Sequence, residues 1–219
     1  MNVVLFGASG MIGQGVLREC LRDPDVQSVL SIVRSPTTQR HPKLRELVHK
    51  DFLDFSPIES QLSGLDACFF CLGISAVGLS EAEYRHITYD ITVAAAGTLA
   101  RLNPGMTFIY ISGAGTDTSE RGRTMWARVK GQTENALLGM PFGAAYMFRP
   151  GLIVPLHGIR SRTRVYQLAY TVLKPILPWM QRRWPNSITT TEHLGRAMLK
   201  AVKQGAPKRI LETADIAAL

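Results

Sequence analysis

Near its N-terminus the chain reads Val3-Val4-Leu5-Phe6, then Gly7-Ala8-Ser9-Gly10-Met11-Ile12-Gly13, then the helix-like Gln14-Gly15-Val16-Leu17-Arg18-Glu19-Cys20-Leu21. An apolar run, a glycine turn and a helix in that order constrain the fold more than any other feature. Small residues let the backbone approach an anion closely. The free N–H groups and positive dipole of a helix start then face it. The spacing is G-x-x-G-x-x-G, not the G-x-G-x-x-G of other dinucleotide folds. An ordinary tight turn uses the same residue types. With a strand before and a helix after it, the segment is expected to cradle a pyrophosphate through Gly7, Ser9, Gly10, Met11, Ile12 and Gly13.

Strand-like and helix-like segments alternate along the rest of the chain. That alternation predicts an α/β fold, a doubly wound parallel sheet of Rossmann type with helices on both faces. Val3–Phe6 is followed by a helix over Gly13–Arg22, strands at Val29–Val33 and Leu47–His49, and a strand at Cys68–Leu72. A long helix over Glu81–Leu102 ends at Asn103-Pro104-Gly105. Then come a strand at Thr107–Ile111, a helix at Trp126–Leu138 and a sixth strand at Ala145–Phe148.

Beyond Pro155 the pattern changes. Apolar residues from Val165 to Met180 recur at helical spacing, interrupted by Pro175 and Pro178, and a final helix capped by Thr191-Glu192 runs to about Lys203. The expected organisation is a nucleotide-binding domain over 1–155 with a small helical C-terminal add-on, 156–219, packed on the same domain over its open edge.

The chain is long enough, at 219 residues and 46% apolar, for one sizeable core. No apolar run is long enough to span a bilayer, and the start reads as a strand rather than an export signal, so a cytoplasmic protein is expected. Cys68-Phe69-Phe70-Cys71 has C-x-x-C spacing, but it sits in an apolar run without a second pair and reads as buried strand cysteines rather than a metal or redox site. Residues 1–156 carry 14 basic and 14 acidic side chains, and residues 157–219 carry 11 and 3, so the whole net charge of +8 lies in the C-terminal stretch. Either a solvated face or an anionic partner there accounts for the excess.

In a doubly wound sheet the carboxyl ends of the strands border the ligand crevice. Arg34 follows the second strand, where NAD-selective folds place a carboxylate on the ribose 2′-hydroxyl. An arginine there suits a 2′-phosphate, so NADP(H) is preferred over NAD(H). Asp51 is either an acceptor for the adenine amino group or a turn former. Cys71-Leu72-Gly73 should line the cofactor, and Ser112, ending the fifth strand, should point towards its nicotinamide end.

These segments together resemble the short-chain dehydrogenase/reductase superfamily. The nearest likeness is to its atypical NmrA-like and epimerase-like groups and to small NAD(P)-binding proteins of the HIV Tat-interactive protein 2 type. The resemblance rests on Gly7–Gly13, Asp66–Gly73, Tyr110-Ile111-Ser112, Val129-Lys130-Gly131 and Phe148-Arg149-Pro150-Gly151. It implies that Pro150, Gly151 and Leu152 pass beside the nicotinamide. It also implies catalytic roles for Ser112 and Lys130, with Lys130 holding the nicotinamide ribose.

The family pairs that lysine with a tyrosine four residues earlier, one turn away on the same helix face, which relays a proton. Here that position is Trp126, whose indole N–H has no accessible acid–base equilibrium near neutral pH. Tyr84, Tyr89 and Tyr110 would have to fold into the site to replace it.

Three functions are compatible with these residues. One is an NADP(H)-dependent oxidoreductase or epimerase-like enzyme with a relocated proton donor, acting on a small molecule that the sequence does not name. Another is a non-catalytic NADP(H)-dependent sensor or regulatory protein. The third is a membrane-surface module using the Val165–Met180 face and its flanking arginines. The long helices Glu81–Leu102 and Trp126–Leu138 are candidates for a homodimer interface.

Overall fold

In the computed structural model, which describes residues 1–159 and 187–219, the chain forms a seven-stranded, wholly parallel sheet. Its elements in chain order are β1 (Asn2–Phe6), α1 (Met11–Arg22), β2 (Ser28–Val33), β3 (Leu44–Val48), β4 (Ala67–Phe70), α2 (Glu81–Arg85) and α3 (Ile91–Leu102). There follow β5 (Thr107–Ile111), α4 (Met125–Leu138), β6 (Ala144–Arg149), β7 (Leu152–Val154), β8 (Ile188–Thr190), α5 (Thr191–Gln204), β9 (Ile210–Glu212) and α6 (Thr213–Ala218). The strand order is β3-β2-β1-β4-β5-β6-β9, with β7 and β8 forming a separate two-stranded ladder. The order reverses between β1 and β4, the place in a doubly wound sheet where a ligand is expected at the carboxyl edge.

Strands buried on both faces read as continuous apolar runs, and β1, β4 and β5 do so. Alternate side chains feed two cores. Leu5, Phe69 and Ile109 pack with α1 and α5, while Phe6, Phe70, Phe108 and Tyr110 pack with α3 and the end of α4. In the second core, offset aromatic rings run across the sheet. Phe6 lies 5.0 Å from Phe70, Phe70 lies 6.0 Å from Phe108, and Phe108 lies 4.9 Å from Phe142.

Several boundaries differ from the sequence reading. The third strand begins at Leu44, because its residues pair with Val29–Val33 of β2 despite the charged Arg45 and Glu46. The fourth ends at Phe70, leaving Cys71 and Leu72 in the loop. The long helix is divided: α2, opened by a Ser80–Glu83 capping box, passes through a π-helical turn at His86–Asp90 into α3. Thr190, not Thr191, caps α5, its hydroxyl accepting from the His193 N–H at 3.0 Å.

The described part of the C-terminal stretch is woven into the main fold. β9 completes the sheet beside β6, and α5 crosses α1 so closely that a Cβ on Gly15 would lie 2.7 Å from Thr191. The expected helix over Val165–Met180, its prolines and the arginines after it lie outside the described residues. Among the described residues, no helix is long and apolar enough to cross a membrane.

Candidate functional site

Because the sheet is parallel, the residues that follow β1, β2, β4, β5 and β6 all emerge at one edge. Gly7, Arg34, Cys71, Ser112 and Pro150 therefore come together there although they span most of the sequence. The Cys71 N–H donates to the carbonyl of Phe6 at 3.0 Å and the Ser112 N–H to that of Phe148 at 2.8 Å, tying these ends together.

The glycine turn is built by close approach. Gly7 has φ +78°, and a Cβ there would lie 2.7 Å from the backbone of Cys71 and Leu72. Its carbonyl accepts from the Gly10 N–H at 2.9 Å, and a Cβ on Gly13 would sit 2.1 Å from the same oxygen. Helix α1 then starts at Gly10 with no side-chain cap and no acidic residue in its first turn. The helix start thus keeps its positive end and its N–H donors for an anion. The Ser9 carbonyl accepts from the Gln14 side chain at 3.1 Å, while Met11 and Ile12 turn back against the α1 core.

Where the sequence reading expects the adenosine half, Arg34 is exposed just past β2. Asp51 is exposed too, and its carboxylate accepts from the Leu53 N–H at 2.9 Å, a turn-forming contact. Cys71 and Leu72 are half-buried and Gly73 is exposed beyond β4. Burial pushes the thiol of Cys71 up, out of the range of a neutral-pH acid or base.

At the other end, Ser112 is buried, with its hydroxyl 2.9 Å from that of Thr116, which in turn donates to the Gly113 carbonyl at 2.8 Å. Trp126, in the first turn of α4, lays its ring along the same loop. A Cβ on Gly115 would lie 3.6 Å from Trp126 Cη2. Lys130, one turn further, turns towards the sheet. Its Nζ lies 3.3 Å from the Ile111 carbonyl and 3.4 Å from Tyr110 Oη, and 5.0 Å from the centre of that ring. Burial lowers the ammonium to about 8, against the pull of Glu134 one turn on.

Glu134 is fully buried and paired with Arg149, whose Nε donates to it at 2.9 Å and whose Nη2 makes a second, shorter bond. Arg149 also reaches Glu212 of β9 at 3.0 Å. Pro150 ends β6, and its carbonyl accepts from Ala114 at 3.1 Å. Gly151 packs so close to Ser187 that a Cβ would lie 2.7 Å from its carbonyl, and the Leu152 N–H donates to that oxygen at 3.2 Å.

The expected phosphate cradle, the Ser112 loop, Trp126 and Lys130 thus share one edge. Of the three tyrosines considered as replacements, Tyr110 reaches Lys130 but does so from the core, where it is 1% exposed and burial raises its phenol. Sequence reasoning missed that pairing, and also the Thr116 and Glu134–Arg149 contacts. Lys130 and Glu134 stand four apart on a helix, and Tyr110 alternates with Ile111 on a strand, so helix and strand periodicity held part of the signal.

No family model matches the chain. Among curated proteins it is similar to the mitochondrial protein FMP52 of Candida albicans, 22% identical over 188 residues and covering 84% of this chain and 79% of that one. The mitochondrial protein fmp52 of Emericella nidulans is 27% identical over 170 residues, covering 74% and 70%. These relatives overturn the cytoplasmic expectation: their names place them in mitochondria, a destination on which the reading of an apolar export signal has no bearing.

Among solved structures, the chain resembles Bordetella bronchiseptica WbmH in complex with NAD+, with a TM-score of 0.66 and 17% identity over 96% of this chain and 74% of that one. A short chain dehydrogenase family protein from Francisella tularensis gives a TM-score of 0.66 at 13% identity, covering 93% and 91%. MoeE5, solved with UDP-glucose and NAD, gives 0.72 at 14%, covering 97% and 75%. The chain therefore has the Rossmann-like α/β fold of these NAD-bound and short-chain dehydrogenase proteins.

Proposed function

We propose that the protein binds a nicotinamide dinucleotide at the β1–α1 turn and works as an atypical oxidoreductase of the short-chain dehydrogenase/reductase kind. The observation that carries this reading is the glycine turn. Gly7 is pressed against Cys71 and Leu72 at the strand-order reversal, in front of an uncapped helix start. The residues present fit such a cofactor. The α1 start would take the pyrophosphate, Arg34 a 2′-phosphate, and the loops after β4 and β5 the nicotinamide half. When bound, the cofactor would supply hydride transfer.

Arg34 favours NADP(H) over NAD(H), since a guanidinium there offers charge-assisted donors to a phosphate and no carboxylate is present for a free ribose hydroxyl. A mitochondrial location, carried by the names of the curated relatives, fits alongside this reading. Trp126 supports a second one, a cofactor-dependent sensor, because it stands four residues before Lys130, where the resemblance implies a phenol, and its indole cannot pass a proton.

The test is a parallel fluorescence titration of the purified protein with NADPH and NADH. Tight NADPH and weak NADH binding are expected. Failure of both to bind would leave the turn as scaffold and overturn the reading. Turnover of a carbonyl substrate then separates the enzyme from the sensor.

A further inference from the structure

An ammonium has three N–H donors. For Lys130, two are accounted for among the described residues, by the Ile111 carbonyl at 3.3 Å and Tyr110 Oη at 3.4 Å. Among the described residues no carboxylate makes an ion pair with it. The nearest on its own helix, Glu134, is held from both oxygens by Arg149. The amine is therefore held by neutral acceptors, at the end of β5 and one turn from Trp126, and the described residues leave one donor over.

The other groups nearby are ill suited to give up a proton. Ser112 is committed to Thr116, Trp126 does not titrate, and the Cys71 thiol and Tyr110 phenol are both raised by burial. The titratable groups that face Lys130 are Glu134 on α4 and Tyr110 on β5; beyond them lie Arg149 on β6, paired with Glu134, and Tyr84 on α2, beside Tyr110. Beside them, Lys130 is lowered towards neutrality, to about 8.

We propose that Lys130 is the catalytic acid of this site, its free N–H protonating the oxygen of an aldehyde or ketone in place of the absent phenol, and that Tyr110 is the positioning residue that holds its amine. This rests on the cofactor-dependent reduction proposed above. In the step, the carbonyl carbon gains a hydride from the reduced nicotinamide, and the carbon–oxygen π pair moves to oxygen. One N–H bond of Lys130 breaks as the O–H bond of the alcohol forms. The cofactor is oxidised and the carbonyl reduced, and the neutral amine regains its proton from water. Lysine serves in such a role only where its ammonium titrates near the working pH.

The experiment uses the full chain and its Lys130→Arg, Lys130→Met and Tyr110→Phe variants. Three readouts are taken: NADPH binding by fluorescence, pH-dependent reduction of a panel of benzaldehyde, hexanal and glyoxylate, and NMR titration of lysines methylated with 13C-formaldehyde. The Lys130 resonance, assigned by its absence in Lys130→Arg, should titrate near 8, apart from the other lysines. Reduction should fade with the same midpoint as pH rises. Lys130→Arg should keep NADPH binding yet lose about 10²–10⁴-fold in turnover. Tyr110→Phe should move the midpoint down, since the ammonium loses an acceptor, and lower turnover in step above that midpoint while the limiting rate at low pH falls less than in Lys130→Arg.

Ordinary titration of Lys130 overturns the proposal. So does a pH profile unchanged in Lys130→Met, or an aldehyde panel that the wild type leaves unreduced. Absence of NADPH binding by the wild type overturns the cofactor reading itself, a different failure from bound NADPH with an ordinary Lys130.

Discussion

Gly13 faces the carbonyl oxygen of Gly7 with no room for a side chain between them, since a Cβ would sit 2.1 Å from that atom. The same oxygen already accepts from the Gly10 N–H at 2.9 Å. The turn is therefore closed by backbone against backbone, and its shape sets the direction in which the first N–H groups of α1 point. Gly13→Ala should push α1 away from β1 and lower stability by about 1–3 kcal/mol. NADPH affinity should fall with it. Chemical denaturation and cofactor titration check both; unchanged affinity in a stable variant would detach the turn from cofactor binding.

Arg34 has no carboxylate partner among the described residues, and it stands exposed beyond β2. Arg34→Ala should weaken NADPH by about tenfold to a hundredfold, the worth of one or two charge-assisted bonds to phosphate. NADH binding should stay the same. Equal losses for both cofactors would show that Arg34 contacts something other than the 2′-phosphate.

The Glu134–Arg149 pair is buried, so breaking it is costly while replacing it whole is not. Arg149→Met leaves Glu134 as a bare carboxylate in the core and should destabilise the fold by about 3–5 kcal/mol. The joint replacement Glu134→Leu with Arg149→Met should recover most of that loss. In Arg149→Met the carboxylate is free to hold Lys130, so the lysine should titrate higher than in the wild type. Thermal melts and lysine NMR give the two readouts.

Burial lowers Lys130 from the usual lysine range near 10.5 to about 8 in the folded chain. Between those values the unfolded chain binds more protons than the folded one, so stability rises with pH through that window. Below it the full penalty of the buried ammonium is present, and above it the contribution is constant. Lys130→Met lacks the group. The stability of the wild type relative to this variant should therefore climb from about pH 8 to about 10.5 and level off beyond. A flat difference across that range would mean that the amine stays hydrated.

The segments that could be read in advance are those whose information is local. Val3–Phe6 with Gly7–Gly13 declares a strand, turn and helix, because glycine at a positive φ and an apolar run act within a few residues. β9 carried no such signal. It is a three-residue strand, held at the sheet edge through Met147, Phe148 and Arg149 rather than by any pattern of its own. The π-helical turn at His86–Asp90 was invisible for a similar reason, since its apolar spacing fits an unbroken helix.

The same division runs through the site. The residue types were settled by the sequence alone: a glycine turn, an arginine after the second strand, a serine after the fifth, and a tryptophan and a lysine one helical turn apart. Which of them meet was decided by tertiary structure. The parallel sheet carries the ends of β1, β4, β5 and β6 to one edge. The packing of α4 on β5 then turns Lys130 inward to Tyr110 and hands Glu134 to Arg149. Local propensity acts over a turn or two of chain, whereas a buried charge finds its partner only when elements far apart in sequence exclude water from the space between them.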